Sequence, residues 1–188
     1  MCMNRHELDT FLVFLDNAKQ WCFSFQTAQV YFDESSNTLR HSLSRHARSG
    51  VIVRVAKGLY ANPRSTSKPD YALESFVKYL RSGLITYLSL ESRLSEIGVI
   101  SQVSTVLTLV TEGRSQIYET PFGTIEFVHT IRKLDINDSN LMFDTERQIY
   151  IASPNLALSD LKRCKRNLNL VDTTDLTELQ TEWEQKSE

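Results

Sequence analysis

Along the chain, apolar residues alternate between the spacing of one helical face and short extended runs, and these spacings predict the elements. From Glu7, the positions Leu8, Phe11, Leu12, Leu15 and Ala18 fall on one side of a helix, with Asn4 and Glu7 forming a capping box ahead of it. A short aromatic stretch, Cys22-Phe23-Ser24-Phe25, leads into a second short helix over 27–31, which the cap-type residues Asp33-Glu34-Ser35-Ser36 interrupt. In residues 37–49, Leu39, Leu43 and Ala47 recur every fourth position, and Gly50 suits a helix C-terminus. The β-branched run 51–55, a turn at Ala56-Lys57-Gly58 and the run Leu59-Tyr60-Ala61 then predict a hairpin with a basic tip.

Residues 62–69 carry two prolines and several small polar residues, which makes them the best linker and divides the chain into domains at 1–64 and 65–188. The second domain is expected to open with a helix from about Pro69, in which Tyr71, Ala72, Phe76, Tyr79 and Leu80 supply an apolar side. A further helix over 87–97 has Leu90, Leu94 and Ile97 in register and ends at Gly98. Strand-like runs follow at 103–111, 116–119 and 123–130, then a hairpin from 141–143 and 148–151. Ser153-Pro154 has the form of a helix start, with Leu158, Leu161, Cys164 and Leu168 on one face, and a last amphipathic helix carries Leu176, Leu179 and Trp183. The expected fold class is α+β: an N-terminal winged helix-turn-helix followed by a mixed α/β domain.

Composition narrows the class. At 188 residues, 41% hydrophobic and 23% charged, with six Gly and four Pro, the chain has the make-up of a folded globular protein. No run approaches the ~18 apolar residues of a membrane span, and the N-terminus, with Asn4, Arg5, His6, Glu7 and Asp9, lacks an apolar leader segment, so a cytoplasmic protein is expected. Cys2, Cys22 and Cys164 are odd in number and far apart, which fits free thiols rather than a disulfide framework or a metal knuckle. The net charge of −2 hides an asymmetry: residues 1–64 hold eight Lys+Arg against five Asp+Glu, the remainder thirteen against eighteen. The front is the basic part.

That asymmetry concentrates on one helix. On a wheel of 100° per residue, Asn37, His41, Ser44, Arg45 and Arg48 gather opposite Leu39, Leu43 and Ala47, while His46 points toward the core side. Helix, short helix, turn, basic helix and basic-tipped hairpin is the order a winged helix-turn-helix requires, because its third helix must be buried on one side and wet on the other to enter the major groove. The expected DNA-binding set is Asn37, Thr38, Arg40, His41, Ser44, Arg45, Arg48, Arg54 and Lys57. Within it, Asn37, Arg40, His41, Ser44 and Arg45 offer donors to base edges, and Arg48, Arg54 and Lys57 meet phosphates. The bland alternative is a solvated amphipathic helix followed by an unrelated hairpin.

The segment Arg54-Val55-Ala56-Lys57-Gly58-Leu59-Tyr60-Ala61-Asn62-Pro63, the stretch from Tyr87 to Gly98, and Val106-Leu107-Thr108-Leu109 through Gly113-Arg114-Ser115 together resemble the AbiEi antitoxin family of AbiE-type toxin–antitoxin systems. The likeness spans roughly residues 8–170 and includes Thr120-Pro121-Phe122-Gly123 and Leu156-Ala157-Leu158-Ser159-Asp160-Leu161. The resemblance implies an antitoxin that represses its own operon at inverted repeats through the N-terminal domain, and whose C-terminal domain counters a nucleotidyltransferase-like toxin without necessarily forming a stable complex. It implies a monomer or weak dimer that pairs on DNA. Lys162, Arg163 and Arg166, opposite the apolar face of the helix after Ser153-Pro154, are candidate contacts to the toxin or to nucleic acid; a solvated face is the alternative.

Little in the sequence suggests catalysis. His41 and His46, five apart, point about 140° from each other on a helix and do not form an i, i+4 metal pair, so neither a metal nor a cofactor is expected. There is no phosphate loop, dinucleotide fingerprint or nucleophile elbow. Ser89, Glu91 and Ser92 lie close together without a histidine nearby, which reads as helix surface or cap. Asp172 with Asp175 and Glu182 with Glu184 read as helix ends and solvated faces. Two other functions keep the same head: a ligand-responsive transcriptional regulator with no toxin partner, and a DNA-processing enzyme with a winged-helix targeting module.

Overall fold

The computed structural model describes residues 3–187. Cys2 lies outside the described residues. The fold mixes helix and sheet, as the α+β reading requires, and forms two compact units. The first runs to Ala72 and takes in Thr120–Phe122; the second comprises Leu73–Glu119 and the chain from Gly123 onward. No described helix is long and apolar enough to cross a membrane.

The first unit contains α1 (Arg5–Asn17), β1 (Cys22–Ser24), α2 (Phe25–Tyr31), α3 (Ser36–Arg48), β2 (Val53–Ala56) and β3 (Leu59–Ala61). Asn4 caps α1 through the expected capping box with Glu7. Leu8, Phe11, Leu12 and Leu15 of α1 meet Leu39 and Leu43 of α3 in one core, together with Phe23, Ala28, Val51 and Ile52. The aromatic stretch at Cys22 is a strand, not merely a lead-in to a helix: it pairs antiparallel with β3, completing a sheet of order β1-β3-β2. Three residues are too few to display a period of two, so the pairing was invisible in the pattern.

The stretch expected to be a linker is fastened down. Ser65 and Thr66 hydroxyls donate to the Asp16 carboxylate at the end of α1, the latter at 2.8 Å, and the Ser67 amide and hydroxyl reach Asp16 at 3.2 and 3.0 Å. These donors, led by Ser65, hold the Asp16 carboxyl well below the usual carboxylate range.

The second unit is built on a six-stranded sheet of order β6-β7-β5-β4-β9-β8. Its strands are β4 (Thr86–Leu88), β5 (Val106–Thr111), β6 (Gln116–Thr120), β7 (Gly123–His129), β8 (Leu141–Asp144) and β9 (Ile149–Ala152). β4 runs antiparallel to β5 and parallel to β9, while β5 and β7 are parallel and β8 and β9 antiparallel. The helices are α4 (Val77–Leu80), α5 (Leu90–Glu96), α6 (Pro154–Cys164) and α7 (Leu176–Ser187). Leu90 and Leu94 of α5 and Leu156, Leu158 and Leu161 of α6 pack with Tyr87, Val110 and Ala152 of the sheet.

Three expectations are corrected here. The helix from Pro69 shrinks to a 3-10 turn at Glu74–Phe76 and the single turn of α4, ended at Arg81 and followed by Gly83 at φ +75°. The helix over 87–97 is in fact strand β4 followed by α5, separated at Ser89; Leu90, which opens α5, has a φ of +55°, a left-handed conformation costing about 1 kcal/mol or more in a residue with a side chain. Thr86, Tyr87 and Leu88 are all buried, as a central strand covered on both faces must be, and such a run merges with the apolar face of the helix that follows. Finally, α6 stops at Cys164 with Lys165 left-handed, so Leu168 leaves the helix and is exposed. The start of α6 is as expected, with the Ser153 hydroxyl accepting from the Leu156 amide at 3.2 Å and Pro154 at the first position.

Candidate nucleic-acid interface

Helix α3 forms because both ends are closed and one flank is apolar. The Ser35 hydroxyl accepts from the Thr38 amide at 3.3 Å and pairs with the Thr38 hydroxyl at 2.9 Å. At the other end Gly50 adopts φ +73°, and the Gly50 and Val51 amides donate to Ala47 and His46 carbonyls, which returns the chain toward the hairpin. Leu39, Leu43, Ser42 and His46 are buried, while Asn37, Arg40, His41, Arg45 and Arg48 are exposed and Thr38 and Ser44 half-buried. The division of faces on the wheel is the one the structure displays. Arg54 and Lys57, on and beyond β2, are likewise exposed.

The α2–α3 turn is rigidly tied. Glu34 accepts from the Met3 amide and from the Ser42 hydroxyl, and the Glu34 carbonyl accepts from Gln29 Nε2 at 2.8 Å. The Met3 carbonyl in turn lies 3.3 Å from His46 Nε2 and accepts from the Arg45 guanidinium. Arg45 is thus exposed but also clamps the segment at Met3 to α3. Sequence spacing could not reveal this contact, because Met3 and Arg45 are 42 positions apart.

Phe25 joins the helix to the hairpin. Its amide donates to the Gly58 carbonyl at 2.7 Å, and the Arg40 guanidinium lies over its ring at 4.8 Å from the centroid. Arg40 also donates to Asn37 Oδ1 at 3.4 Å. Burial raises the Tyr60 hydroxyl above its ordinary pKa, and the positive charges of Arg54 and Arg40 oppose that rise, which puts both guanidinia within electrostatic reach of the same ring.

Charge pairing sets these cations apart. Among the described residues, Arg40, Arg48, Arg54 and Lys57 enter no ion pair. Elsewhere in the same unit Arg5 and Arg64 both pair with Asp9, at 2.7 and 3.0 Å. The arrangement can therefore accept polyanions: positive charge without internal counter-charge, mixed with amide, hydroxyl and imidazole groups on the same helix.

The second candidate set does not share that property. Arg166 donates through Nη1 and Nη2 to Glu126 at 2.7 and 2.9 Å and through Nε to Glu91 at 3.0 Å. The forked bond to Glu126 raises its pKa further. Arg163 donates to the Thr130 hydroxyl at 2.8 Å and approaches Asp160 at 3.4 Å. Of the three, Lys162 alone is exposed with no ion pair among the described residues.

Ser89, Glu91 and Ser92 are buried, not surface groups; Ser89 is the N-cap residue of α5, though its side chain makes no capping bond. Ser89 and Tyr87 hydroxyls both donate to Asp160 Oδ2 at 2.8 Å, Ser92 Oγ bonds the Val106 carbonyl and the Thr108 amide, and Glu91 takes Arg166 and Asn167. The cluster cross-links β4, β5, α5 and α6. No protein-family model matches the chain, and no curated protein matches it at a significant level.

Proposed function

We propose that the first unit is a winged helix-turn-helix that binds double-stranded promoter DNA, with α3 in the major groove and the β2–β3 hairpin as the wing. The observation that carries this reading is that Arg40 and Arg48 of α3 and Arg54 and Lys57 of the hairpin enter no ion pair among the described residues. A guanidinium or ammonium left unpaired on a surface is available to phosphate oxygens, and each such contact releases counterions from the duplex. The element order helix, strand, helix, helix, strand, strand with a β1-β3-β2 sheet supports the same reading. Asn37, Arg40, His41 and Ser44 are the groups for base edges, and Arg48, Arg54 and Lys57 those for phosphates; Thr38 is largely used in capping. Arg45 serves both as a groove-facing donor and as the clamp on Met3.

We further propose that the chain is an autorepressing antitoxin of the AbiE type and not an enzyme. It would bind inverted repeats as two heads spaced ~34 Å or a multiple of it along one face of the duplex. Its second unit would counter a nucleotidyltransferase-like toxin. The support for the toxin is the resemblance alone, carried by 54–63, 87–98, 106–115 and 156–161.

The test is fluorescence anisotropy of the full chain with the DNA upstream of its own reading frame against a scrambled duplex. Specific binding is expected to exceed non-specific binding by at least ~10³-fold, and equal affinity for both would overturn the DNA reading. Co-expression with a nucleotidyltransferase-like protein from the neighbouring reading frame tests the antitoxin reading separately: growth restored by the chain supports it, and toxicity unrelieved sinks it.

A further inference from the structure

The β2–β3 hairpin is short and closed down on the body of the first unit. Two residues, Lys57 and Gly58, join its strands, with Gly58 at φ +76°. The Gly58 carbonyl accepts from the Phe25 amide at 2.7 Å, and a Cβ placed on Gly58 would stand 3.6 Å from that of Phe25. The turn therefore lies against the first residue of α2 instead of standing clear of it. Between Val53 and Ala61 only Arg54 and Lys57 are exposed. The Arg54 Nε–H donates to the Ala56 carbonyl at 3.4 Å, which turns that guanidinium back along its own strand. Lys57 is the cation left at the tip.

The minor groove of DNA is about 6 Å wide and about 7.5 Å deep, and it shows nearly the same acceptors for A·T as for T·A. Reading it takes a segment that overhangs the groove, with arginine as the favoured side chain to enter. This hairpin supplies neither, because its turn is bonded to α2 and its arginine to Ala56. A lysine ammonium is a point charge suited to a phosphate. Helix α3 is the opposite case: exposed Asn37, Arg40 and His41 and half-buried Ser44 supply amide, guanidinium, imidazole and hydroxyl groups. Such a mixture matches the major groove, where all four base pairs differ. From Asn37 to Ser44 the helix rises roughly 10 Å at roughly 1.5 Å per residue, which covers about four base pairs at ~3.4 Å per step.

We propose that the first unit reads base sequence in the major groove alone, over about four base pairs for each copy bound, and that its hairpin touches only the backbone. This deepens the DNA reading and rests on it. Specificity then belongs to α3, and Lys57 sets affinity without choosing sequence.

The experiment replaces base pairs singly in the DNA upstream of the chain's own reading frame and measures the affinity of the full chain by fluorescence anisotropy. Each position is tested as A·T, as G·C and as inosine·cytosine. Inosine is guanine without its minor-groove amino group, so inosine·cytosine presents the major-groove face of G·C and the minor-groove face of A·T. Wherever exchanging A·T and G·C changes affinity by at least ~5-fold, inosine·cytosine is expected to behave as G·C. These positions should fall in runs of about four pairs, and Lys57→Ala should weaken binding to every duplex by the same factor. Sensitive positions at which inosine·cytosine behaves as A·T would overturn the inference while leaving DNA binding intact. So would runs that extend well beyond that length, or a base preference altered in Lys57→Ala. A promoter with no sensitive position would overturn the DNA reading itself, and the inference with it.

Discussion

The Arg40 guanidinium sits 4.8 Å from the centre of the Phe25 ring, and Phe25 is itself bonded through its amide to Gly58 in the hairpin turn. One aromatic side chain thereby fixes a basic group of α3 relative to the hairpin, and Asn37 Oδ1 accepts from the same guanidinium. A long cationic side chain held in one rotamer gives up less entropy when it meets a base or phosphate than one that is free.

Phe25→Leu is therefore expected to lower specific DNA affinity about fivefold, the equivalent of about 1 kcal/mol for a lost cation–π contact, with the fold intact. Arg40→Ala should cost more in the wild type than in the Phe25→Leu background, because in the latter the platform is already gone. Anisotropy on the four proteins of that cycle reads the coupling. Additive losses would show that Phe25 does not position Arg40.

Among the described residues Arg48 and Lys57 enter no ion pair, so their role is expected to be electrostatic. Arg48→Ala and Lys57→Ala should each weaken binding to specific and scrambled duplexes alike. Each should also lower the slope of log K against log salt by about 0.9, one released counterion per lost phosphate contact. Arg45→Ala differs: it should relax base preference and also lower stability, since it releases the carbonyl of Met3. A salt slope unchanged in both Arg48→Ala and Lys57→Ala would remove them from the phosphate contacts.

How much of this was legible in the sequence depends on how each element is buried. Helix α3 was readable because only one face of it is buried, and Leu39 and Leu43 mark that face at helical spacing. Strand β4 was not, because Tyr87 and Leu88 are buried and only one residue, Ser89, separates them from Leu90 of the next helix. The left-handed conformation of Leu90, at the start of that helix, carries no compositional mark. Side-chain pairing was hidden for a different reason: Arg166 reaches Glu91 across 75 positions and Glu126 across 40, and a wheel that projects one helix cannot show partners from elsewhere. The same limit concealed the Arg45 clamp and the Phe25 platform.

Asp16 gives the stability of the first unit a pH dependence of definite sign. Its folded pKa lies below the ordinary aspartate value of about 4 because Ser65, Thr66 and Ser67 donate to the ionised form. The stabilisation is fully present above that ordinary value and is lost as pH falls through the depressed one. Asp16→Asn should therefore be less stable than the wild type at pH 7, with the difference shrinking steadily as urea melts are moved from about pH 4 toward pH 2. A difference that stayed constant over that range would mean that shape, not charge, holds residues 65–67.

The three cations of the C-terminal candidate set should separate on mutation. Arg166 is held by two carboxylates, so Arg166→Glu would leave Glu91 and Glu126 unmatched and add a third negative charge. A loss of about 2 kcal/mol or more in unfolding free energy is expected, in the range for hydrogen bonds to charged groups, with the urea midpoint shifted down. Lys162→Glu touches no ion pair and should leave that midpoint within about 0.5 kcal/mol of the wild type. A contact to toxin or nucleic acid is thus tested by Lys162→Glu alone, because reversing all three at once would report the collapse of the Glu91–Arg166–Glu126 bridge as loss of function. If Arg166→Glu proved as stable as the wild type, the bridge would be a surface pairing of no structural consequence and the triple reversal would again be interpretable.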